Sequence, residues 1–176
     1  LLRMTRANKD AVSAAVRALR PGSTTNLSGG MLKGVATLAG PGLDGDAGAD
    51  GDDKAGIVKA VLLLTDGIAN EGIRDTPSIV RVLRCTLAEF ADPPAVFTFG
   101  FGKDHDAACL RAVSDAGKGL YYFIEEVDSI PIAFGDCLGG LCSVVAQNLE
   151  LTVRVVNGVV VDGGRAGVLS GGYETH

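Results

Sequence analysis

Asp66 closes the run Val61-Leu62-Leu63-Leu64-Thr65-Asp66-Gly67, in which four apolar residues lead to a carboxylate and then a glycine. A short apolar run bounded by turn residues is the pattern of a strand buried on both faces, as in parallel sheets. The carboxylate then sits at the strand's carboxyl end, beside the crevice where open α/β sheets bind ligands. Asp-Gly is also a turn pair in its own right. A second polar cluster, Gly22-Ser23-Thr24-Thr25-Asn26-Leu27, lies between two helical patterns. A hydroxyl at such an entrance is by default an N-cap, a role open to Thr25 or Ser23. Thr25 and Asp66 are nonetheless oxygen donors of the kind a small hard cation takes, Mg²⁺ above all, with about six oxygens including several waters.

A Thr-Asn-Leu helix entrance followed by an apolar strand ending in Thr-Asp-Gly resembles the von Willebrand factor A (vWA) family. The resemblance runs from about Leu2 to about Gln147. It includes Val96-Phe97-Thr98-Phe99-Gly100-Phe101-Gly102, similar to the family's next strand and turn, and Gly117-Lys118-Gly119-Leu120-Tyr121-Tyr122, similar to the strand after that. The run Ala133-Phe134-Gly135-Asp136-Cys137-Leu138-Gly139-Gly140-Leu141 resembles the last helix of members that continue into a further β domain. In the family the matching Thr and Asp are the second and third elements of a metal-ion-dependent adhesion site. The resemblance therefore implies that Thr25 and Asp66 ligate Mg²⁺ (or Mn²⁺ or Ca²⁺), and that an acidic side chain of a protein partner completes the shell.

The family's first element, Asp-x-Ser-x-Ser, which supplies an aspartate and two serines, occurs nowhere in these 176 residues. Leu1-Leu2-Arg3-Met4-Thr5 resembles the tail of the family's third strand, so the expectation is a domain cut at its amino end; the alternative is a member that has lost the site. Two protein oxygens would hold the metal weakly. Loss of a first central strand would also leave Val61 to Leu64 with an unpaired apolar edge, prone to aggregation.

Three functions follow from these residues. The first is a protein-interaction module acting through the metal-bridged carboxylate. The second is a metal-independent scaffold within a larger multidomain protein, such as a RING or U-box ubiquitin ligase, since some family members with an added β region carry those domains. The third, disfavoured, is a metal-dependent hydrolase using Asp66: the chain has neither a Gly-Lys-Ser/Thr phosphate loop nor a Gly-x-Ser-x-Gly elbow. Gly100-x-Gly102 is too short for a dinucleotide fingerprint.

Composition bounds these readings. A length of 176 residues with 47% apolar content suits a globular α/β protein. The formal charge of −5, without a Lys/Arg-rich run, argues against nucleic acid and anionic membrane as partners. No apolar segment approaches the ~20 residues of a membrane span. Cys85, Cys109, Cys137 and Cys142 lack the Cys-x-x-Cys spacing of zinc or redox sites and read as small buried hydrophobes in an intracellular, reduced setting. Of the two histidines, His105 reads as a helix-entrance residue, and His176 is terminal.

The elements that must position Thr25 and Asp66 alternate. Val12, Ala15, Val16 and Leu19 mark an amphipathic helix after Thr5, ended by Pro21-Gly22. Leu27, Met31, Val35 and Leu38 mark a second. The Asp/Gly-rich stretch 40–56 reads as a surface loop; its Asp-x-Asp spacing lacks the terminal Glu of a calcium loop. A strand over 57–64 is followed by a helix opened by Thr76-Pro77, an N-cap and first-turn pair, with Ile79, Leu83, Leu87 and Phe90 on one face. Then come a strand at 95–100, a helix from Asp106 to Ala116, a strand at 119–124, and a helix from about Asp128 to Gln147 that buries Ile130, Phe134, Leu138, Leu141 and Val145. The pattern specifies a doubly wound, mostly parallel sheet with helices on both faces, and the family resemblance implies that its first strands are missing. From Leu149 the period becomes two, with a hairpin at Asn157-Gly158. The expected division is a vWA-like domain over 1–147 and the start of a β-rich region over 148–176.

Overall fold

The apolar run before Asp66 forms the strand β1, Ala60–Thr65, and runs parallel to β2, Ala95–Phe101, which in turn runs parallel to β3, Lys118–Ile124. The strand order is β1-β2-β3, and β1 pairs with β2 in unbroken register from Ala60↔Ala95 to Thr65↔Gly100. Parallel neighbours require crossovers, and helices supply them: α3, Thr76–Leu87, between β1 and β2, and α4, Ala107–Ala116, between β2 and β3. Two helices precede the sheet, α1 (Arg6–Ala18) and α2 (Leu27–Thr37); α5 (Ile130–Cys142) follows it. This computed structural model describes residues 5–20, 22, 24–38 and 58–144.

Alternation along the strands divides their side chains between two cores. Val61, Leu63, Val96 and Tyr121 pack with the apolar faces of α2, α3 and α4, in a cluster where Met31, Val35, Ile79, Leu83, Val96 and Val113 are all 0% exposed. Leu62, Phe97, Phe99, Phe101, Tyr122 and Ile124 face α5 through Ile130, Ala133, Phe134, Cys137 and Leu141. There Phe99 stacks between Tyr122 and Phe134, at ring-centroid distances of 4.9 and 4.6 Å. The Tyr122 hydroxyl donates to Asp136 at 2.9 Å. Burial, and then that carboxylate acceptor, push the Tyr122 phenol well above its usual range, so it stays a neutral donor.

Several expectations shift. The cap of α3 is Asp75 rather than Thr76, because its carboxylate accepts the Ser78 N–H at 2.9 Å; Thr76 and Pro77 form the first turn. Hydrogen bonds from the Ser78 side chain and backbone hold the Asp75 carboxyl below its ordinary value of 3.8. Asp128 lies in a single 3₁₀ turn, Val127–Ser129, and α5 begins only at Ile130. Leu138 on that helix is 49% exposed rather than buried: the α5 residues that pack on the sheet are Ile130, Ala133, Phe134, Cys137 and Leu141. Helix α1 has the expected stripe, yet none of its residues is buried and Leu19 is 72% exposed; a period specifies a stripe, not a cover. Only Cys109 and Cys137 are buried, while Cys85 and Cys142 are exposed.

The chain divides into two units, Leu1–Val145 and Ala146–His176. The second unit, with the expected strand from Leu149 and the Asn157-Gly158 hairpin, lies outside the described residues, as do stretch 40–56 and Ser23. Among the described residues no helix is long and apolar enough to cross a membrane.

Candidate functional site

Thr25 sits one residue before the cap of α2. That cap is Asn26, whose side-chain oxygen accepts the Gly29 N–H at 2.8 Å, so the N-cap role open to Thr25 in the sequence falls to its neighbour. The backbone of Thr25 is held on both sides by the loop after β1. Its N–H donates to the Asn70 side chain at 2.7 Å, and its carbonyl accepts the N–H groups of Asn70 and Glu71 at 3.1 and 3.2 Å. Beside it the Thr24 hydroxyl donates to Glu71 at 2.6 Å, and the buried Ser28 hydroxyl accepts the Ile73 N–H at 3.0 Å. The loop comes so close here that a side chain at Gly72, whose φ is +71°, would stand 2.5 Å from the Asn26 oxygen. Glycine is the residue that allows both the approach and the positive φ.

None of these bonds uses the Thr25 hydroxyl. It stands 3.9 Å from the position a Cβ on Gly67 would take, the one contact such an atom would have within 4 Å. The α2 entrance and the turn after β1 therefore form one rim at the carboxyl end of β1. Asp66 lies in that turn and is exposed. The turn's own hydrogen bonds are made by Thr65, whose hydroxyl meets the Gly67 carbonyl at 3.2 Å and the Gly67 N–H at 3.3 Å. Those bonds leave the Asp66 carboxylate out of the turn, so it is not spent on local structure.

A hydroxyl and a carboxylate at a solvent-facing rim suit a hard cation in kind. In number they fall short: among the described residues no three His, Cys, Asp or Glu side chains gather as a metal site. Next to the rim lies a cavity of about 20 Å³ between Leu27, Gly67, Ile68, Arg74, Asp106 and Cys109, room for about one water. Burial pushes the Cys109 thiol above its ordinary value, which keeps it protonated. Asp106 caps α4 by accepting the Cys109 N–H at 2.9 Å.

His105 does not enter the α4 cap. Its ring folds back over Gly100, where an added Cβ would collide with the imidazole, and its Nε2 lies 2.7 Å from the Tyr121 hydroxyl. The ring thus packs the β2–α4 loop onto β3. Asn70, Glu71 and Asn26 are the residues of the rim that reading the sequence passes over. Asn26 was signalled by its place immediately before Leu27, since asparagine is among the strongest caps; the pairing of Thr25 with residues 45 positions away had no local signal.

The sequence profile of the von Willebrand factor type A domain matches residues 2–134. The inter-alpha-trypsin inhibitor heavy chain H1 of the pig, Sus scrofa, is 29% identical over 132 residues, which cover 73% of this chain and 13% of the pig protein. The crystal structure of the ArnB paralog VWA2 from Sulfolobus acidocaldarius is similar at a TM-score of 0.43 and 21% identity, covering 65% of this chain and 26% of that one. The chain thus spans a minor part of the length of either relative.

Proposed function

The chain belongs to the von Willebrand factor type A domain family, whose domains typically mediate protein interactions, and from that premise we propose that it engages a protein partner at the Thr25–Asp66 rim, with a divalent cation between the two. The observation that carries the reading is the placement of the Thr25 hydroxyl 3.9 Å from the Gly67 Cβ position, next to a carboxylate that its own turn does not use. Thr25 would offer a neutral oxygen and Asp66 a charged one, directly or through water. A cation held by so few charged groups stays electrophilic and accepts an acidic side chain from the partner. Binding rather than hydrolysis suits a region whose imidazole among the described residues, that of His105, is engaged by Tyr121.

With two protein oxygens the affinity should be low, in the ~10⁻⁴–10⁻³ M range of weak calcium modules. Titration of Mg²⁺ followed by amide NMR should move the resonances of Thr25, Asp66 and Gly67, and Asp66→Asn should abolish those shifts. Micromolar binding would contradict the incomplete donor set. Shifts that survive Asp66→Asn would place the cation elsewhere. A partner that binds equally well with Mg²⁺ and with chelator would favour the metal-independent scaffold.

A further inference from the structure

The rim continues past Arg74 into a second concave surface. Arg74 lines the small cavity beside Gly67 and also a broad, open concavity of about 590 Å³ that it shares with Asp75, Ser78 and Arg81. Two guanidinium groups meet one carboxylate there, and that carboxylate is already committed to Ser78 as the α3 cap. On the other side of Arg74, Asp106 is committed in the same way to Cys109. Neither guanidinium has a described carboxylate within 4.0 Å, although the Arg81 charge still helps to hold the Asp75 carboxyl down. With Arg74 and Arg81 against the single carboxylate of Asp75, the lining of this concavity is net positive on a chain of net charge −5. The guanidinium fork matches a carboxylate with two parallel hydrogen bonds, which makes it a recognition group more than a solubilising one.

We propose that Arg74 and Arg81 form a second anchor for the protein partner: an extended acidic segment places one carboxylate at the Thr25–Asp66 rim and a cluster of further carboxylates in the concavity beside α3. The inference rests on the reading of that rim as the partner site and adds the chemistry of the partner. An acidic segment approaching an acidic chain is repelled at long range, so a local pair of cations decides where it can land and in which direction it runs. The anchor needs no metal, which matters where two protein oxygens hold the cation weakly.

The test uses the full chain and two fluorescein-labelled Gly/Ser peptides of equal length, one with a single Asp and one with that Asp followed by a glutamate cluster. Fluorescence anisotropy is read in Mg²⁺ and in chelator. The glutamate peptide should bind about tenfold more tightly, equivalent to ~1.4 kcal/mol. Arg74→Gln should remove most of that ratio and Arg81→Gln part of it; Arg74→Lys, which keeps charge and loses the fork, should retain an intermediate ratio. Asp66→Asn should weaken both peptides in Mg²⁺ and leave the ratio intact. If the rim reading fails, Mg²⁺ and Asp66→Asn have no effect while the ratio persists. Equal affinity of the two peptides, absence of binding by either, or a ratio that survives both arginine substitutions overturns the anchor. Displacement by millimolar inorganic phosphate that leaves free glutamate without effect also overturns it, in favour of a phosphate ligand. Either arginine is exposed, and should one variant fail to fold by circular dichroism, the ratio measured on the other decides.

Discussion

The two faces of the sheet are made by the same three strands and end in different states. On one, α2, α3 and α4 cover the strands, and Met31, Val35, Ile79, Leu83 and Val113 are 0% exposed. On the other, α5 is the one helix among the described residues that packs on the strands, burying its Cys137 with Phe99 and Ile124, while Leu64, on the face of Leu62, is 49% exposed. The α5 side is the more apolar, with Phe97, Phe99 and Phe101 on β2 against Val96, Thr98 and Gly100 on the other, so apolar content did not decide the outcome; the number of described helices that return to each face did. Stability should therefore concentrate on the three-helix side, and adaptability on the other.

Truncation is the strongest way to break that contrast. Leu83→Ala, in the fully covered core, should cost about 2–5 kcal/mol in chemical denaturation, and a cost below 1 kcal/mol would mean that the three-helix side is not closely packed. Gly100→Ala drives a methyl into the His105 ring and should cost about 1–3 kcal/mol as an overpacking change; the double variant Gly100→Ala with His105→Ala should recover part of that loss, which separates ring displacement from strand propensity. Leu64→Thr on the open face should stay within about 0.5 kcal/mol, as surface changes do. The same substitution should raise solubility, because β1 is an edge strand of the described sheet and an apolar edge invites pairing with another chain. Light scattering on heating that is unchanged by Leu64→Thr would place the association elsewhere.

The smallest effect is electrostatic. The Asp75 carboxyl is lowered in the folded chain by its Ser78 bonds. A depressed acid contributes stability that is present above its unfolded value and lost as pH falls through the folded one. Relative to Asp75→Asn, the native chain should lose its advantage only below the ordinary value of 3.8, and an advantage lost already near neutrality would point to another group.

The order of elements was legible because each carries its own period: Leu27, Met31 and Val35 on α2, and Ile79, Leu83 and Leu87 on α3, fall on the buried faces that their spacing marks. Boundaries moved where two polar residues compete for one role. Asp75 outcompetes Thr76 and Asn26 outcompetes Thr25 as caps, and in each case the winner places an sp² oxygen on the N–H of the third helical residue. What spacing cannot express is contact at long separation. Leu138 follows the α5 stripe by spacing and is nonetheless 49% exposed, outside the set that packs on the sheet. The link from Thr25 to Asn70 depends on α2 packing against β1 with its entrance at that strand's end. The rim donors themselves were visible as residue types; the arginines beside them became visible only once Arg74 was seen to line two concavities at once.

Because Asn26 holds the helix end and Asn70 with Glu71 holds the main chain of residue 25, the hydroxyl of Thr25 carries no structural duty of its own. A valine there would leave the protein at its normal abundance in a cell while silencing whatever that oxygen touches, and a phenotype produced by such an allele could be traced to lost association instead of lost protein.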